Sequence, residues 1–134
     1  DIGDQFDIHP KRKKEVGERL AANACRKIYG FKNLIASGPV FEKATASGKT
    51  LTLSFSNTGS GLLVKGDTLQ GFVVAGADKK FYPAKARLQG GKIILESGQV
   101  PLPKYARYAW ANAPLEANLY NKEGFPAVPF RTDK

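Results

Sequence analysis

The stretch KTLTLSF, residues 49–55, alternates polar and apolar side chains from Thr50 onward. Successive side chains of a β-strand point to opposite faces, so Leu51, Leu53 and Phe55 would share one face of a strand. Residues 40–45 also have strand character and are separated from this stretch by Ala46-Ser47-Gly48. We expect the two segments to be neighbouring strands with one face in a hydrophobic core.

Short strand-like segments continue toward the C-terminus and are separated by turns, several of them rich in glycine. They cover residues 62–64, 72–75, 80–82, 84–88, 92–96 and 105–110. Gly90-Gly91, between two of them, is a strong signal for a two-residue hairpin turn. Short strands at this spacing are typical of an antiparallel β-sandwich, so the predicted fold class is mainly β.

Residues 112–134 are predicted to form an extended, ordered tail rather than a helix. Pro114, Pro126 and Pro129 interrupt this segment, and proline is unfavourable inside a helix. The apolar residues are too many for a disordered tail; they are Leu115, Leu119, Phe125, Val128 and Phe130. We expect them to cover a sheet edge or to pack on a neighbouring domain.

A helical periodicity precedes the strands, because apolar residues recur at every fourth position over residues 11–29. The predicted stripe consists of Val16, Leu20, Ala24 and Ile28. Pro10 suits the first helical position, which would place His9 near the N-cap, and Gly30 would end the helix.

Composition narrows the range of function classes. The chain has 134 residues, 42% of them hydrophobic, which is enough to form the core of one domain. Its net charge of +9 is dispersed except at residues 11–14, and no nucleic-acid motif accompanies that run. No apolar run approaches the length needed to span a membrane. Cys25 is the only cysteine, so no intrachain disulfide can form, and we expect it to be buried.

His9 is the only histidine and follows three acidic residues, Asp1, Asp4 and Asp7. An imidazole beside a carboxylate can serve as a general base and acid toward a nucleophile. No Gly-x-Ser-x-Gly elbow supplies that nucleophile, because every serine falls in a predicted loop or strand. One histidine and one cysteine make a metal site unfavourable. The residue types alone leave open whether His9 is structural or catalytic.

Three groups of residues have a distinctive order. The N-terminal group is Asp1-Ile-Gly, Ile8-His9-Pro10, Lys14 and Gly17-Glu-Arg19-Leu20. The middle group is Ser37-Gly38-Pro39, Gly71-Phe72 and Ala75-Gly76. The C-terminal group is Arg107-Tyr108-Ala109-Trp110, Asn118-Leu119-Tyr120-Asn121, Phe125-Pro126-Ala127 and Phe130-Arg131-Thr132-Asp133. Together they resemble the C-terminal portion of the sialate O-acetylesterases, serine esterases of the SGNH-like hydrolase type.

The resemblance implies a domain organisation and an activity. Residues 1–30 would be the last loop and helix of an α/β hydrolase domain, and residues 31–134 a β-sandwich domain with an extended tail. Family members remove O-acetyl groups from sialic acids and related sugars. His9 matches their catalytic histidine, whereas their serine lies upstream of the segment that this chain matches. The chain alone would therefore be an inactive C-terminal fragment. The sheet that covers the helical stripe would lie in the missing hydrolase domain, so the isolated chain should expose the stripe and self-associate or exchange its helix.

The resemblance leaves the orienting acid open. Related SGNH hydrolases place it three residues before the histidine, where this chain has Phe6. Asp7, two residues before His9, is the first candidate, Asp4 the second, and Asp1 a third. No metal or cofactor is implied. The implied partners are an O-acetylated sugar and the missing N-terminal hydrolase domain, with neither nucleic acid nor a membrane. The parent protein would be periplasmic or secreted.

A second reading is a carbohydrate-binding or purely structural β-module without catalysis. The aromatic residues that could stack on sugars are Tyr105, Tyr108, Trp110 and Tyr120. An aromatic strand in a sandwich more often belongs to the core. An exposed Trp110 beside a groove would favour sugar binding, and a buried one would favour the core.

Overall fold

The structure is a computed structural model that describes residues 1–9 and 11–133, so the predicted position of Pro10 at the helix start lies outside the described residues. Within these ranges one helix precedes a series of short strands. Their bounds are α1 (Lys13–Lys27), β1 (Val40–Ser47), β2 (Thr50–Ser56), β3 (Leu62–Val64), β4 (Phe72–Ala75), β5 (Phe81–Pro83), β6 (Lys85–Gln89), β7 (Lys92–Glu96), β8 (Tyr105–Tyr108), β9 (Leu119–Asn121) and β10 (Phe130–Arg131).

The strands form two four-stranded sheets and a two-stranded ribbon. The first sheet has the order β1-β2-β7-β6, the second β10-β8-β4-β5, and the ribbon pairs β3 with β9. Every pairing is antiparallel. The predicted fold class, a mainly β chain with antiparallel sheets preceded by one helix, is confirmed.

The core consists of the apolar faces of the two sheets, as the alternating pattern predicts. In β2, Leu51 and Leu53 are 1% and 0% exposed, and their neighbours on β7, Ile93 and Leu95, are fully buried. The second sheet contributes Phe72, Val74, Ala106 and Tyr108 to the same cluster. The Tyr108 hydroxyl accepts a hydrogen bond from the Leu119 backbone N–H at 2.8 Å. Burial raises the pKa of Tyr108 to about 12.

Two hairpin turns show how glycine sets the loop length. Gly90 and Gly91 have φ angles of +57° and +72° and join β6 to β7, so the predicted two-residue turn is confirmed. The hairpin from β1 to β2 is tighter than predicted, because Ser47 pairs with Thr50 and leaves a two-residue turn. Gly48 has a φ of +55°, a conformation that glycine adopts without steric cost. Strands β5 and β6 each lie one residue later than predicted.

The strand predicted over residues 105–110 ends at Tyr108. Ala109 has a φ of +50°, which turns the chain out of the sheet. The backbone N–H of Ala109 still bonds to the Gly71 carbonyl at 3.0 Å. As a result Trp110 leaves the strand and is 51% exposed.

The C-terminal tail is ordered, as predicted, and contributes β9 to the ribbon and β10 to the second sheet. Leu119 and Phe130 enter the core through β9 and β10. In contrast, Leu115 and Val128 are 68% and 43% exposed, so only some of the apolar residues of the tail are buried against a sheet. The sequence pattern did not separate the two sets, because burial here depends on which short segments pair with distant strands.

A linker of residues 36–39 connects the helix to the sandwich and packs against the tail. The buried Asn121 side chain donates to the Ser37 carbonyl at 3.2 Å. The Val128 N–H donates to the Pro39 carbonyl at 2.9 Å. Gly38 lies so close to the backbone of Pro126 that a Cβ atom there would clash with it. The linker is therefore fixed to the tail by close backbone packing.

Helix α1 begins two residues later than predicted, with Arg12 rather than His9 beside its N-terminus. The prediction that places His9 near the N-cap is wrong, because the helix starts only after Arg12. None of the helical residues is buried. Leu20 and Ile28 are 67% and 77% exposed, as expected for a stripe without a partner. Cys25 is half-buried rather than buried. Among the described residues, no helix combines the length and the apolar character that crossing a lipid bilayer would require.

A buried carboxylate close to the end of the tail joins two arginines. Asp133 is 4% exposed and accepts paired hydrogen bonds from Arg107 at 3.0 and 2.6 Å. Arg131 donates to the same two oxygens at 3.2 and 2.6 Å. The hydrogen bonds from Arg107 and then Arg131 hold the pKa of Asp133 well below its usual range. This cluster ties β8 to the segment that follows β10.

Replacing Asp133 with asparagine should lower the melting temperature at pH 7 by several degrees, because both arginines lose their counter-charge. A carboxyl with a depressed folded-state pKa stabilises the fold fully above its unfolded pKa of about 4 and loses this contribution as the pH falls below it. The difference between the natural chain and Asp133→Asn should therefore narrow below about pH 4. Asp67→Asn, in an exposed turn, is the control, and a difference that is independent of pH would contradict the assignment.

The exposed stripe predicts that the isolated chain self-associates through α1. In sedimentation experiments Leu20→Gln should shift the chain toward the monomer, because it removes the centre of the stripe. Leu115→Gln is a matched control, because Leu115 is equally exposed but lies outside the helix. A natural chain that sediments as a monomer at all concentrations would count against this prediction.

Candidate active site

The loop that precedes α1 brings His9 and Asp7 into contact. The backbone N–H of His9 donates to Asp7 Oδ1 at 2.8 Å, and the His9 ring Nδ1 lies 3.3 Å from the same oxygen. The side chains are 77% and 44% exposed. With a proton on Nδ1, the carboxylate holds the ring tautomer and leaves Nε2 as a free base. The pair has the geometry of the base and orienting acid of a hydrolytic triad.

The other two candidate acids make different contacts. Asp4 Oδ1 accepts a hydrogen bond from the Phe6 backbone at 2.9 Å, which shapes the loop. Asp1 forms a bidentate pair with Arg19 at 2.9 and 2.7 Å, which ties the start of the loop to the helix. Among the described residues, the side-chain hydrogen bond of His9 goes to Asp7 alone. The geometry therefore separates Asp7 from Asp4 and Asp1, a distinction that the sequence left open.

A cleft of about 410 Å³ lies beside this loop. One wall comes from residues 1–5 at the start of the loop, so Asp7 and His9 do not line the cleft, and the other wall comes from residues after β3 and before or within β9. The lining residues are Asp1, Gly3, Asp4, Gln5, Lys65, Asn112, Ala113, Pro114, Leu115, Ala117, Asn118 and Tyr120. Its size is within the range of pockets that hold small molecules.

Lys65 gives the far wall of the cleft a positive charge. Its ammonium group lies 3.6 Å from the ring centroid of Tyr120, in cation–π geometry. Burial lowers the pKa of Lys65, and the neighbouring Arg12 and Arg19 lower it further. The structure pairs this ammonium with no carboxylate among the residues it describes. An anionic group entering the cleft would find a cation already positioned.

Asn118 braces this wall through three hydrogen bonds. Its side chain donates to the carbonyls of Lys65 and Thr68 at 2.8 and 2.7 Å. It also accepts from the Gln70 N–H at 2.9 Å. These bonds fix the segment after β3 against β9. Sequence reasoning noted residues 118–121 in the C-terminal group but missed that they form a wall with Lys65, because the two segments lie about fifty positions apart.

The part of the chain that the structure describes contains no cluster of ligands for a metal centre. No group of three or more His, Cys, Asp or Glu residues there comes together in a way that could hold an ion. Asp7 and His9 are adjacent to each other but lack a third ligand of these types.

Comparison with known proteins finds similarity among solved structures. No protein-family model matches the chain, and a search of curated proteins also gives no match. Among solved structures, a carbohydrate acetylesterase from Xanthomonas citri superposes with a TM-score of 0.94 at 44% sequence identity. The match covers 100% of this chain and 31% of that protein. Over its whole length, the chain is therefore similar in sequence and fold to about a third of a carbohydrate acetylesterase.

Proposed function

We propose that the chain is the C-terminal part of a longer serine esterase that removes acetyl groups from sugars. The observation that carries this proposal is the 44% identity, over the whole chain, with part of a carbohydrate acetylesterase. The contact between His9 and Asp7 supports it, because acetyl-ester hydrolysis by a serine needs a base and an orienting acid. The rest of the parent would supply the serine.

His9 would act in both halves of the reaction. Its Nε2 would take the proton from the serine hydroxyl as the serine oxygen attacks the acetyl carbonyl. The imidazolium would then pass this proton to the sugar oxygen as the ester bond breaks and an acetyl-enzyme forms. In the second half His9 would take a proton from water, which attacks the acetyl-enzyme and releases acetate and free serine. This chemistry requires no metal or cofactor.

Asp7 is the orienting acid in this proposal, since it is the carboxylate in contact with the ring. Holding the proton on Nδ1 keeps Nε2 available and stabilises the imidazolium that forms. Asp4 would shape the loop through its backbone hydrogen bond to Phe6. Asp1 would anchor the loop through Arg19.

The parent would contain a domain that covers α1. Residues 1–30 would complete an SGNH-like hydrolase domain, and residues 31–134 would form the β-sandwich. The exposure of Leu20 and Ile28 supports this division, because an apolar stripe at 67% and 77% exposure is typical of a face that packs against another unit. We further propose that the parent is periplasmic or secreted, where acetylated sugars of cell surfaces are accessible.

The finer substrate in this proposal is O-acetylated sialic acid. Sialic acid carries a carboxylate, and Lys65 is the cation positioned in the cleft. A charge-assisted hydrogen bond from this ammonium would hold the sugar carboxylate. A neutral acetylated sugar would not use that contact.

Sugar binding without catalysis is the second candidate. Tyr108, at 1% exposure, belongs to the core, and the ring of Tyr120, at 5% exposure, is covered by the Lys65 ammonium, which removes both as stacking residues. Trp110, at 51% exposure beside surface grooves, retains this function. An exposed tryptophan is compatible with either candidate, because an esterase must also hold its sugar.

The first test is turnover of p-nitrophenyl acetate by the full-length parent. His9→Ala should lower the turnover number by about 10²- to 10⁴-fold or more and leave the melting temperature nearly unchanged, because His9 is exposed and supports no core. Asp7→Asn should also lose activity through the wrong tautomer, whereas Asp4→Asn should stay close to normal. The 134-residue chain alone should show no hydrolysis above background.

Two outcomes would overturn the catalytic assignment. One is a parent carrying His9→Ala that keeps near-normal turnover. The other is an isolated chain whose turnover is abolished by a serine-directed inhibitor, since the chain would then contain its own nucleophile. If Asp4→Asn lost activity and Asp7→Asn kept it, the orienting acid would be Asp4 and not Asp7.

The second test addresses sialic acid. In the parent, Lys65→Met should lower kcat/KM for O-acetylated sialic acid about tenfold, because it removes a charged hydrogen-bond donor while keeping an apolar stem on Tyr120. Hydrolysis of a neutral acetylated sugar should be unchanged. Lys104→Met is the matched control, because Lys104 also lies over an aromatic ring, that of Tyr105, but outside the cleft. Equal losses on both substrates would remove the sialate proposal and leave the esterase proposal intact.

A further inference from the structure

Trp110 is an exposed aromatic ring held in place by the backbone. It is the only tryptophan in the chain and is 51% exposed. The preceding residue, Ala109, is 8% exposed and has a left-handed φ of +50°, a strained conformation for alanine. Its bond to the Gly71 carbonyl fixes this turn. Trp110 therefore lies directly beyond the end of β8, at a turn fixed by a backbone hydrogen bond to the second sheet's neighbouring segment.

The surface around Trp110 is concave on more than one side. The indole borders depressions of about 260, 400 and 550 Å³. Ala111, Pro114 and Pro129 line the largest, so its lining is mostly apolar and two of its residues have the restricted backbone of proline. An apolar lining beside an exposed indole suits the apolar face of a pyranose ring, whose hydroxyls project around the edge.

The charges near Trp110 favour a neutral ligand. The Arg131 guanidinium lies 5.7 Å from the indole centroid, and Arg107 lines the adjacent depression. Both guanidinium groups are paired with the carboxylate of Asp133, and Glu116 also lines that depression. Neither arginine is thus free to select an acidic sugar.

The Trp110 surface adjoins the cleft beside the His9 loop. Asn112, Ala113, Pro114 and Leu115 line the cleft, and members of the same segment also line the depressions at Trp110. Asn112 is two residues from Trp110, so their Cα atoms are at most about 7 Å apart. A sugar chain with one residue in the cleft could therefore place a neighbouring residue on the indole.

We propose that Trp110 is a stacking platform for a neutral pyranose of an oligosaccharide, adjacent to the cleft that receives the acetylated residue. The assignment of the cleft as the reacting end rests on the proposed esterase function. The stacking platform does not rest on that function, because an indole stacks on a sugar ring whether or not the sugar carries an acetyl ester. The substrate class that follows is an acetylated oligosaccharide, bound over at least two residues.

Tryptophan fluorescence of the 134-residue chain reports on this surface directly, because Trp110 is its only tryptophan. Titration with neutral cello-, xylo-, manno- and galacto-oligosaccharides should give a saturable change with at least one of them, before and after acetylation. By calorimetry, Trp110→Ala should weaken that binding about tenfold or more, as truncation of a central aromatic contact does. Tyr29→Ala is the matched control, because Tyr29 is 71% exposed but lies beyond the end of the helix.

The parent protein separates this inference from the esterase proposal. There, Trp110→Ala should lower kcat/KM for the acetylated oligosaccharide about tenfold more than it lowers p-nitrophenyl acetate turnover, because p-nitrophenyl acetate has no sugar ring to stack on the indole. No saturable change with any of the four sugars, equal binding by Trp110→Ala, or a parent whose Trp110 is shielded from iodide quenching would overturn the platform. A parent inactive on p-nitrophenyl acetate would instead overturn the esterase proposal alone.

Discussion

The side chain of Asn121 makes the contact on which the arrangement of helix, sandwich and tail depends. This fully buried amide donates to the Ser37 carbonyl and accepts from the Phe125 N–H, so it joins the linker to the tail. Leaving a buried polar group without a hydrogen-bond partner destabilises a fold by about 1–3 kcal/mol. The Asn121 amide therefore needs both the linker and the tail in place. Gly38 completes the contact, because only a residue without a Cβ atom fits against Pro126.

The position of the His9 loop follows from this anchor through a series of polar contacts. Asn23 of α1 donates to the Ala36 carbonyl at 2.9 Å, next to the fixed linker. Arg19 of the same helix holds Asp1 at the start of the loop. Apolar packing contributes little, since none of the residues of α1 is buried. The loop is thus oriented by a few directional bonds, which are most effective when surrounding protein excludes water from them.

The sequence predicted most of the sandwich because its signals are local. Alternation from Thr50 to Phe55 identified the buried face of β2, and Gly90-Gly91 identified a hairpin. The end of β8 was missed, because a left-handed alanine has no sequence signature. The short strands β9 and β10 were missed as well, because their partners lie far away in the chain. In the site, residue type and resemblance singled out His9, but only geometry separated Asp7 from Asp4. The sequence singled out residues 118–121 but did not place them beside Lys65, because that wall depends on the long-range pairing of β3 with β9.

The order of the strands has a consequence for the behaviour of the chain in concentrated solution. The outer strands of the first sheet are β1 and β6, and free edges of outer strands act in many proteins as templates for fibril growth. The edge of β6 is partly covered, because Ala86 also forms a bridge with Leu69. Here β1 has a register irregularity between Phe41 and Lys43, and β6 carries Lys85 and Arg87. Irregular, charged edges are poor templates, because an incoming strand would meet a distorted ladder and like charges. The first sheet is therefore protected from edge-to-edge pairing, and its association is directed to surfaces whose side chains, rather than whose backbone, make the contact.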